Sequence, residues 1–378
     1  GRVNGLDVVG IAAADPFTDA REALDERRAR GLHGGMAFTY RNPDRSTDPA
    51  RTLAGARSLV VGARRYPSHG ADVSDVSDPS DPSDVPSSPR PRGRVARYAR
   101  RDHYAALRAG LAAVALELTN AGHRAVVLAD DNSLVDRAAA HRAGLGWYGK
   151  SSNLLLPGRG SWFVLGSVLT DAPLRPSPGP VADGCGTCRR CIDGCPTGAI
   201  VADGVVDARR CLSWLLQVRG EFPRGFRAAL GDRIYGCDEC QEVCPPNRRA
   251  DARGDGADPG PAAGEAPAVA EVDVLWMLAA SDDELLAAAG SWYVADRDPR
   301  YLRRNALVVL GNTGDGWDRR VEAVLRDHLR GTDDLLCGHA AWAALRLGRA
   351  DLLADPAVAA RPAVRDEVVA GGDASRRS

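Results

Sequence analysis

The chain has 378 residues, 44% hydrophobic and 26% charged, which suits two or three ordinary domains and excludes a disulfide-stapled mini-protein or a disordered chain. Its 49 basic and 50 acidic residues leave a net charge of −1, so nothing global points to nucleic acid, although a local basic stripe would suffice. No apolar run approaches the roughly 18 residues of a membrane-spanning helix. Val8 to Ala14 is bracketed by Asp7 and Asp15 without a basic lead-in, so it reads as a buried strand and a cytoplasmic protein is expected.

In chain order, a strand is predicted at Val8 to Ile11, an amphipathic helix at Thr18 to Arg30 and a buried strand at Ser58 to Gly62. A low-complexity Ser/Asp/Pro insert from Ser68 to Pro91 cannot bury a core and is expected to be a surface loop. The pattern resumes with a helix over Asp102 to Asn120, a strand over Arg124 to Ala129, a helix over Leu134 to Arg142 and a strand over Ser161 to Thr170. A Pro-rich joint ends this α/β region near residue 180. The cysteine segment then fills 181–249, an acidic Gly/Pro/Ala linker 250–268, and an all-helical pattern 269–378. Within that tail, NALVVLGN from Asn305 and WAALRLGR from Trp342 echo each other at about 37 residues, a period that suits HEAT-like two-helix repeats.

Nine cysteines are present, and eight lie between residues 185 and 244. Cys185-x2-Cys188-x2-Cys191-x3-Cys195-Pro196 has the spacing of bacterial iron–sulfur runs, whose fourth cysteine ligates the other cluster. The second run, Cys237-x2-Cys240-x3-Cys244-Pro245, has Ile234 where one more cysteine is expected, and Cys211 supplies the missing thiolate. Eight thiolates then make two 4Fe–4S clusters. Crossing assigns Cys185, Cys188, Cys191 and Cys244 to one, and Cys195, Cys211, Cys237 and Cys240 to the other. Paired zinc knuckles also use four cysteines per metal, but seldom with this x2-x2-x3-Pro grammar twice over. Cys337, in an Ala/Leu/Trp-rich helix, reads as an inert buried thiol.

Clusters move electrons, so the substrate chemistry must lie elsewhere. Gly144-x4-Gly149-Lys150-Ser151 matches a phosphate loop formally, but a helix precedes it and an apolar strand follows, the reverse of that motif's setting. No histidine has an aspartate two residues before it, so the DxHxxG cobalamin signature is absent. Asp130, Asp131, Asn132, Asp136 and Arg137 crowd the end of a predicted strand, where open α/β sheets bind ligands. Helix capping by Asn132 or Ser133 beside solvated carboxylates is the plainer reading of the same residues.

The blocks LADDNSLVDRAAAHRAGLGWYGKSSNLLL, GSWFVLGSVLTDAPL, CGTCRRCIDGCPTGAIV, DARRCLSWL and GDRIYGCDECQEVCPPN, in this order, resemble the epoxyqueuosine reductases over roughly residues 30 to 250. These are cobalamin- and iron–sulfur-dependent tRNA-modifying enzymes related to reductive dehalogenases. The resemblance implies an α+β/α/β fold: a cobalamin-binding α/β domain over 1–180, a ferredoxin-like two-cluster domain over 181–249 and helical repeats over 269–378. It implies the same eight cluster ligands, with Asp130 as proton donor and also at the cofactor. Arg45, Arg137, Leu154 and Ser213 are then expected at cobalamin, and Gln217 and Arg219, on the helix begun by Cys211-Leu212-Ser213, at the tRNA anticodon loop.

The family's Gly-Lys-Asn is Gly149-Lys150-Ser151 here, its Pro-Trp-Asn is Pro245-Pro246-Asn247, its first helix is cut short at Gly1, and Asp131 doubles the donor position. The implied reaction removes an epoxide oxygen from the modified base of epoxyqueuosine with two electrons and two protons, leaving an alkene. The expected partners are the anticodon stem-loop and an external electron donor, with no membrane, and the chain is expected to act as a monomer. The stretch Arg90 to Arg108 holds seven Arg against one Asp and is a candidate phosphate stripe. Two alternatives remain at this stage. A reductive-dehalogenase-like enzyme would not need the helical tail, and a plain two-cluster electron carrier would not need the long region before the clusters.

Overall fold

The computed structural model describes residues 5–66, 90–254 and 268–375. Nearly all of the Ser68 to Pro91 insert and most of the predicted linker lie outside the described residues. The chain divides into two compact units. The first takes residues 1–71, 101–211 and 238–266, and the second takes 72–100, 212–237 and 267–378.

The first unit is built on four strands, β1 (Val8–Ala13), β2 (Ser58–Arg65), β3 (Ala125–Ala129) and β4 (Phe163–Thr170). Their order is β1-β2-β4-β3, and every neighbouring pair is antiparallel. The predicted strands are all present, and the sheet they form is antiparallel throughout. The pairing of β2 with β4 joins residues about a hundred positions apart, which local periodicity cannot report. Helix α1 (Thr18–Ala29) follows β1, α2 (His103–Asn120) precedes β3, and α3 (Asp136–Arg142) follows it.

Both faces of the sheet are covered, which is why β2 and β4 read as continuous apolar runs. On one face Leu59, Val61 and Ala63 pack in one cluster with Ala139, Ala140 and Ala143. On the other, Gly62 and Gly166 pair across β2 and β4 beneath Leu111 of α2. A Cβ on Gly166 would stand 2.8 Å from Leu111, so glycine is what lets the helix seat this close. The cysteine segment adds short helices at Arg190–Asp193, Glu239–Glu242 and Pro245–Ala252, and a hairpin of Ile200–Ala202 with Val205–Val206.

In the second unit Arg92–Val95 pairs with Arg233–Tyr235 and Glu271–Asp273. The helices α4 (Arg300–Thr313), α5 (Arg319–Arg330), α6 (Asp334–Arg346) and α7 (Pro362–Ser375) follow. NALVVLGN falls in α4, and WAALRLGR begins in α6 and runs on past its end. Gly311 of α4 lies where a Cβ would meet the Trp342 ring at 2.6 Å and Ala343 at 2.9 Å, so a small residue sets that helix contact. Arg304 is fully buried and donates to the carbonyls of Leu215, Leu216, Val218 and Gly220. No described helix is long and apolar enough to cross a membrane.

Candidate functional site

The first cysteine run is a loop folded around Asp183, whose carboxylate accepts the backbone N–H groups of Cys185 and Gly186, each at 3.1 Å. Those two bonds hold the Asp183 carboxyl below its usual range. Burial pushes the Cys244 thiol up to about 11, and Cys191, Cys185 and Cys188 add to the shift. The Cys191 thiol is raised likewise, by burial first and then by Cys185 and Cys188. The four thiols expected to share a cluster therefore feel one another, although Cys244 comes from the far run.

In the other set, Cys195 accepts the Ala199 N–H at 3.2 Å and Cys240 lies 3.8 Å from the Asn153 amide nitrogen. N–H groups aimed at ligand sulfurs are a standard means of setting a cluster's potential. Cys211 ends a tight turn on Ala208, and Cys237 closes the 212–237 segment of the second unit. Among the described residues no three His, Cys, Asp or Glu side chains converge on a single metal ion. A 4Fe–4S cluster spreads its four thiolates over separate irons.

The second run is seated on the sheet by neutral groups. Asn247 is fully buried, accepts the Ser161 N–H at 2.6 Å and donates to the Gln241 carbonyl at 2.8 Å and the Ser161 hydroxyl at 3.0 Å. Gln241 donates to the Tyr66 hydroxyl and to Ser161, at 3.0 to 3.1 Å. Gly160 must be glycine here, because its φ is +76° and a Cβ would sit 2.0 Å from the Asn247 oxygen. Neither Asn247 nor Ser161 was singled out from sequence, since they lie 86 residues apart.

Between α1, α3 and the Ile200–Val206 hairpin lies a cleft of about 840 Å³. Phe17, Leu24, Phe38, Phe163 and Leu165 give it apolar walls, and Asp131, Asp136, Arg137 and His141 give it polar ones. Asp136 opens α3, and burial raises its carboxyl pKa well above the ordinary value against the pull of Arg137. Asp130 is also raised, by desolvation first, with Arg108 opposing and Asp102 and Asp131 adding. Desolvation likewise raises Tyr104, aided by Asp136 and Asp130, and pushes Tyr148 up to about 12. A carboxyl that keeps its proton to higher pH can act as a general acid. Tyr104 and Tyr148 carried no sequence signal, because only their place in the cleft lining makes them notable.

The expected site residues are distributed as follows. Asp130 ends β3 in a left-handed conformation, φ +55°, exposed and one residue outside the cleft lining. Asp131 lines the cleft and its carboxylate accepts the Ser133 N–H at 2.7 Å. Arg137 lines the cleft, Arg45 is exposed just before the lining residue Ser46, and Leu154 is buried in the core. In the second unit Ser213 meets the Tyr98 hydroxyl at 2.9 Å. The helix expected to carry Gln217 and Arg219 ends at Leu215, so both follow it in a turn whose carbonyls Arg304 takes. The Arg90–Arg108 stretch is largely occupied: Arg97 is buried, while Arg90, Arg94 and Arg108 pair with Asp273, Asp232 and Asp102.

A family model described as a 4Fe–4S double cluster binding domain matches residues 184–247. An epoxyqueuosine reductase of Bacillus anthracis is 31% identical over 352 residues, 91% of this chain and 86% of its own. A solved epoxyqueuosine reductase holding an epoxyqueuosine-modified tRNA-Tyr stem loop is 30% identical with a TM-score of 0.81, covering 97% of this chain and 94% of that one. Another, from Bacillus subtilis with its catalytic aspartate loop swung out of the active site, is 29% identical with a TM-score of 0.80, covering 96% and 93%.

Proposed function

The chain belongs to the epoxyqueuosine reductase family, and from that premise we propose that it reduces the epoxide of epoxyqueuosine in a tRNA anticodon loop, using two 4Fe–4S clusters and cobalamin. The observation that carries this reading is the raised carboxyl of Asp136 in the cleft wall, with the raised carboxyl of Asp130 one residue outside that wall, within the unit that holds most of the cysteines.

The groups fit the residues present. Four mutually coupled thiols, half-buried and drawn from both runs, are the donor set that one cluster needs, with Cys195, Cys211, Cys237 and Cys240 left for the other. The apolar walls of the cleft suit the face of a corrin, and Arg137 suits its polar fringe. Arg45 stands next to the lining residue Ser46 and suits the same fringe, whereas Leu154, buried in the core, and Ser213, in the second unit, do not line this cleft; Gln217 and Arg219 are the proposed RNA contacts. When bound, these cofactors carry electrons one at a time from an external donor to the epoxide carbon.

What the chain itself supplies is protons and position. Epoxide plus two electrons and two protons gives alkene plus water, so an acid must serve the departing oxygen. Asp130 is that donor. Its raised pKa keeps the proton available, and its left-handed backbone places it on a loop rather than in a strand. Asp130 stands one residue outside the cleft lining, so its loop needs to close to bring the carboxyl over the cleft. Asp131, already bonded to Ser133, positions that loop.

The proposed division is a catalytic region over 1–180, a two-cluster region over 181–249 and HEAT-like repeats over 269–378, acting as a cytoplasmic monomer. Anaerobically purified protein should bind about eight iron atoms, four per cluster, show a corrin spectrum and convert an epoxyqueuosine stem-loop. Cys211→Ser should cost mainly one cluster. Protein loaded with iron and corrin that leaves the epoxide intact would overturn the reading.

A further inference from the structure

The second unit exposes one aromatic side chain whose backbone is held as firmly as a core residue. Tyr293 is 57% exposed, yet its neighbours Trp292 and Val294 are 8% and 5% exposed. The Tyr235 hydroxyl brackets it, accepting the Tyr293 N–H at 2.7 Å and donating to the Tyr293 carbonyl at 3.2 Å. Tyr235 itself is stacked on Trp292 at 4.5 Å, and the Trp292 indole donates to the Ala99 carbonyl at 2.8 Å. The chain thus fixes this turn and leaves the Tyr293 ring facing water.

Two further features mark the same turn. Asp296 and Arg297 both have positive φ, +55° and +53°, a conformation that non-glycine residues keep only where the surroundings impose it. Asp296 pairs with Arg219, and both side chains are more than half exposed. Asp296 follows Tyr293 by three residues in this turn, so the Asp296–Arg219 pair brings the guanidinium to the turn that carries the ring. A fixed, exposed ring next to a guanidinium with a weak, exposed counter-ion matches what single-stranded RNA offers, a base face beside a phosphate.

We propose that Tyr293 is the platform on which an unpaired anticodon-loop base stacks, while Arg219 takes the adjoining phosphate and Asp296 holds Arg219 until the RNA displaces it. This rests on the tRNA reading above and adds a recognition residue to it. Stacking needs the ring and not the hydroxyl. The phosphate competes with Asp296, so removing that carboxylate strengthens binding.

The test is the affinity of the iron-loaded full chain for a fluorescein-labelled anticodon stem-loop, with 2-aminopurine in the loop as a stacking reporter. Tyr293→Ala should weaken binding roughly 5- to 100-fold, the range of one base–aromatic stack, and abolish the 2-aminopurine quenching. Tyr293→Phe should stay near wild type, and Asp296→Asn should bind more tightly. Wild-type affinity in Tyr293→Ala, or an equal loss in Tyr293→Phe, overturns the platform; weaker binding by Asp296→Asn overturns the counter-ion role. If wild-type protein converts the epoxyqueuosine stem-loop while Tyr293→Ala binds normally, only this inference fails. If wild type binds the stem-loop but never converts the epoxide, the functional reading fails and the variants still decide the platform.

Discussion

The two units use carboxylates in opposite ways. In the helical part of the second unit, arginines clamp them: Arg326 and Arg349 hold Glu322 at 3.0 Å, and Arg330 holds Asp355 at 2.9 Å. Hydrogen bonds from those arginines keep both carboxyls below their ordinary range. In and just outside the cleft of the first unit, Arg137 pulls on Asp136 and Arg108 on Asp130 in the same sense, but desolvation wins and both are raised. A carboxylate paired directly with arginine contributes to holding a fold. One that is desolvated and left with a distant cation costs stability and gains a proton to give.

The sharpest break of this contrast is Asp130→Asn, which should keep both clusters yet lose at least about a hundredfold in turnover, since an amide cannot protonate the epoxide oxygen. Asp131→Asn should cost little beside it in the same stem-loop assay. Equal collapse of both, with corrin binding gone, would make the pair structural.

Next in size is Glu367→Leu. Glu367 is buried between Arg224 at 2.9 Å and the fully buried Arg227 at 2.8 Å. Removing it strands the Arg227 charge and should destabilise the protein by about 3–5 kcal/mol in denaturant melts. An unchanged midpoint would show that the helical unit does not depend on its clamps.

Asp136→Asn reverses the sign. A carboxyl whose folded pKa is raised binds more protons folded than unfolded, so its contribution to stability falls as pH rises from its unfolded value through the folded one. The variant lacks that penalty and should melt above wild type at pH 7, with the gap closing toward pH 4. A lower melting temperature at pH 7 would mean that Asp136 is held by contacts rather than merely desolvated. The smallest effect is expected of Glu322→Gln. The lowered Glu322 stabilises only above its unfolded pKa and loses that as pH falls through its folded one, but it is solvent-screened. Melts at pH 7 should barely move, and turnover not at all.

Elements with a strong local period were legible from sequence. The strands at Val8 and Ser58 and the helices at Thr18 and Asp102 appear where apolar spacing put them, the strands longer by two or three residues and the helices shorter by one. The two-cluster segment, matched over residues 184–247, was legible because ligand spacing is itself local. What failed was long-range. Nothing near Ser58 announces an antiparallel partner at Thr170. The helix at Leu212 looked continuous through Arg219, but the remote, buried Arg304 takes its last carbonyls and ends it at Leu215. Asp130 and Asp131 looked alike in sequence and were separated only by the backbone, one left-handed and the other closing a turn on Ser133.

The seat of the second cysteine run has a consequence for how electron and proton delivery coexist. Ser161, Gln241, Asn247 and Tyr66 are a hydroxyl, two amides and a phenol, so the network contains no group that changes charge across the acidic and neutral range. Electron transfer falls exponentially with distance, and a shift of the Cys240–Cys244 loop would be felt at once. Because the groups that tie that loop to the start of β4 are uncharged, these bonds do not loosen when nearby carboxyls gain or lose a proton.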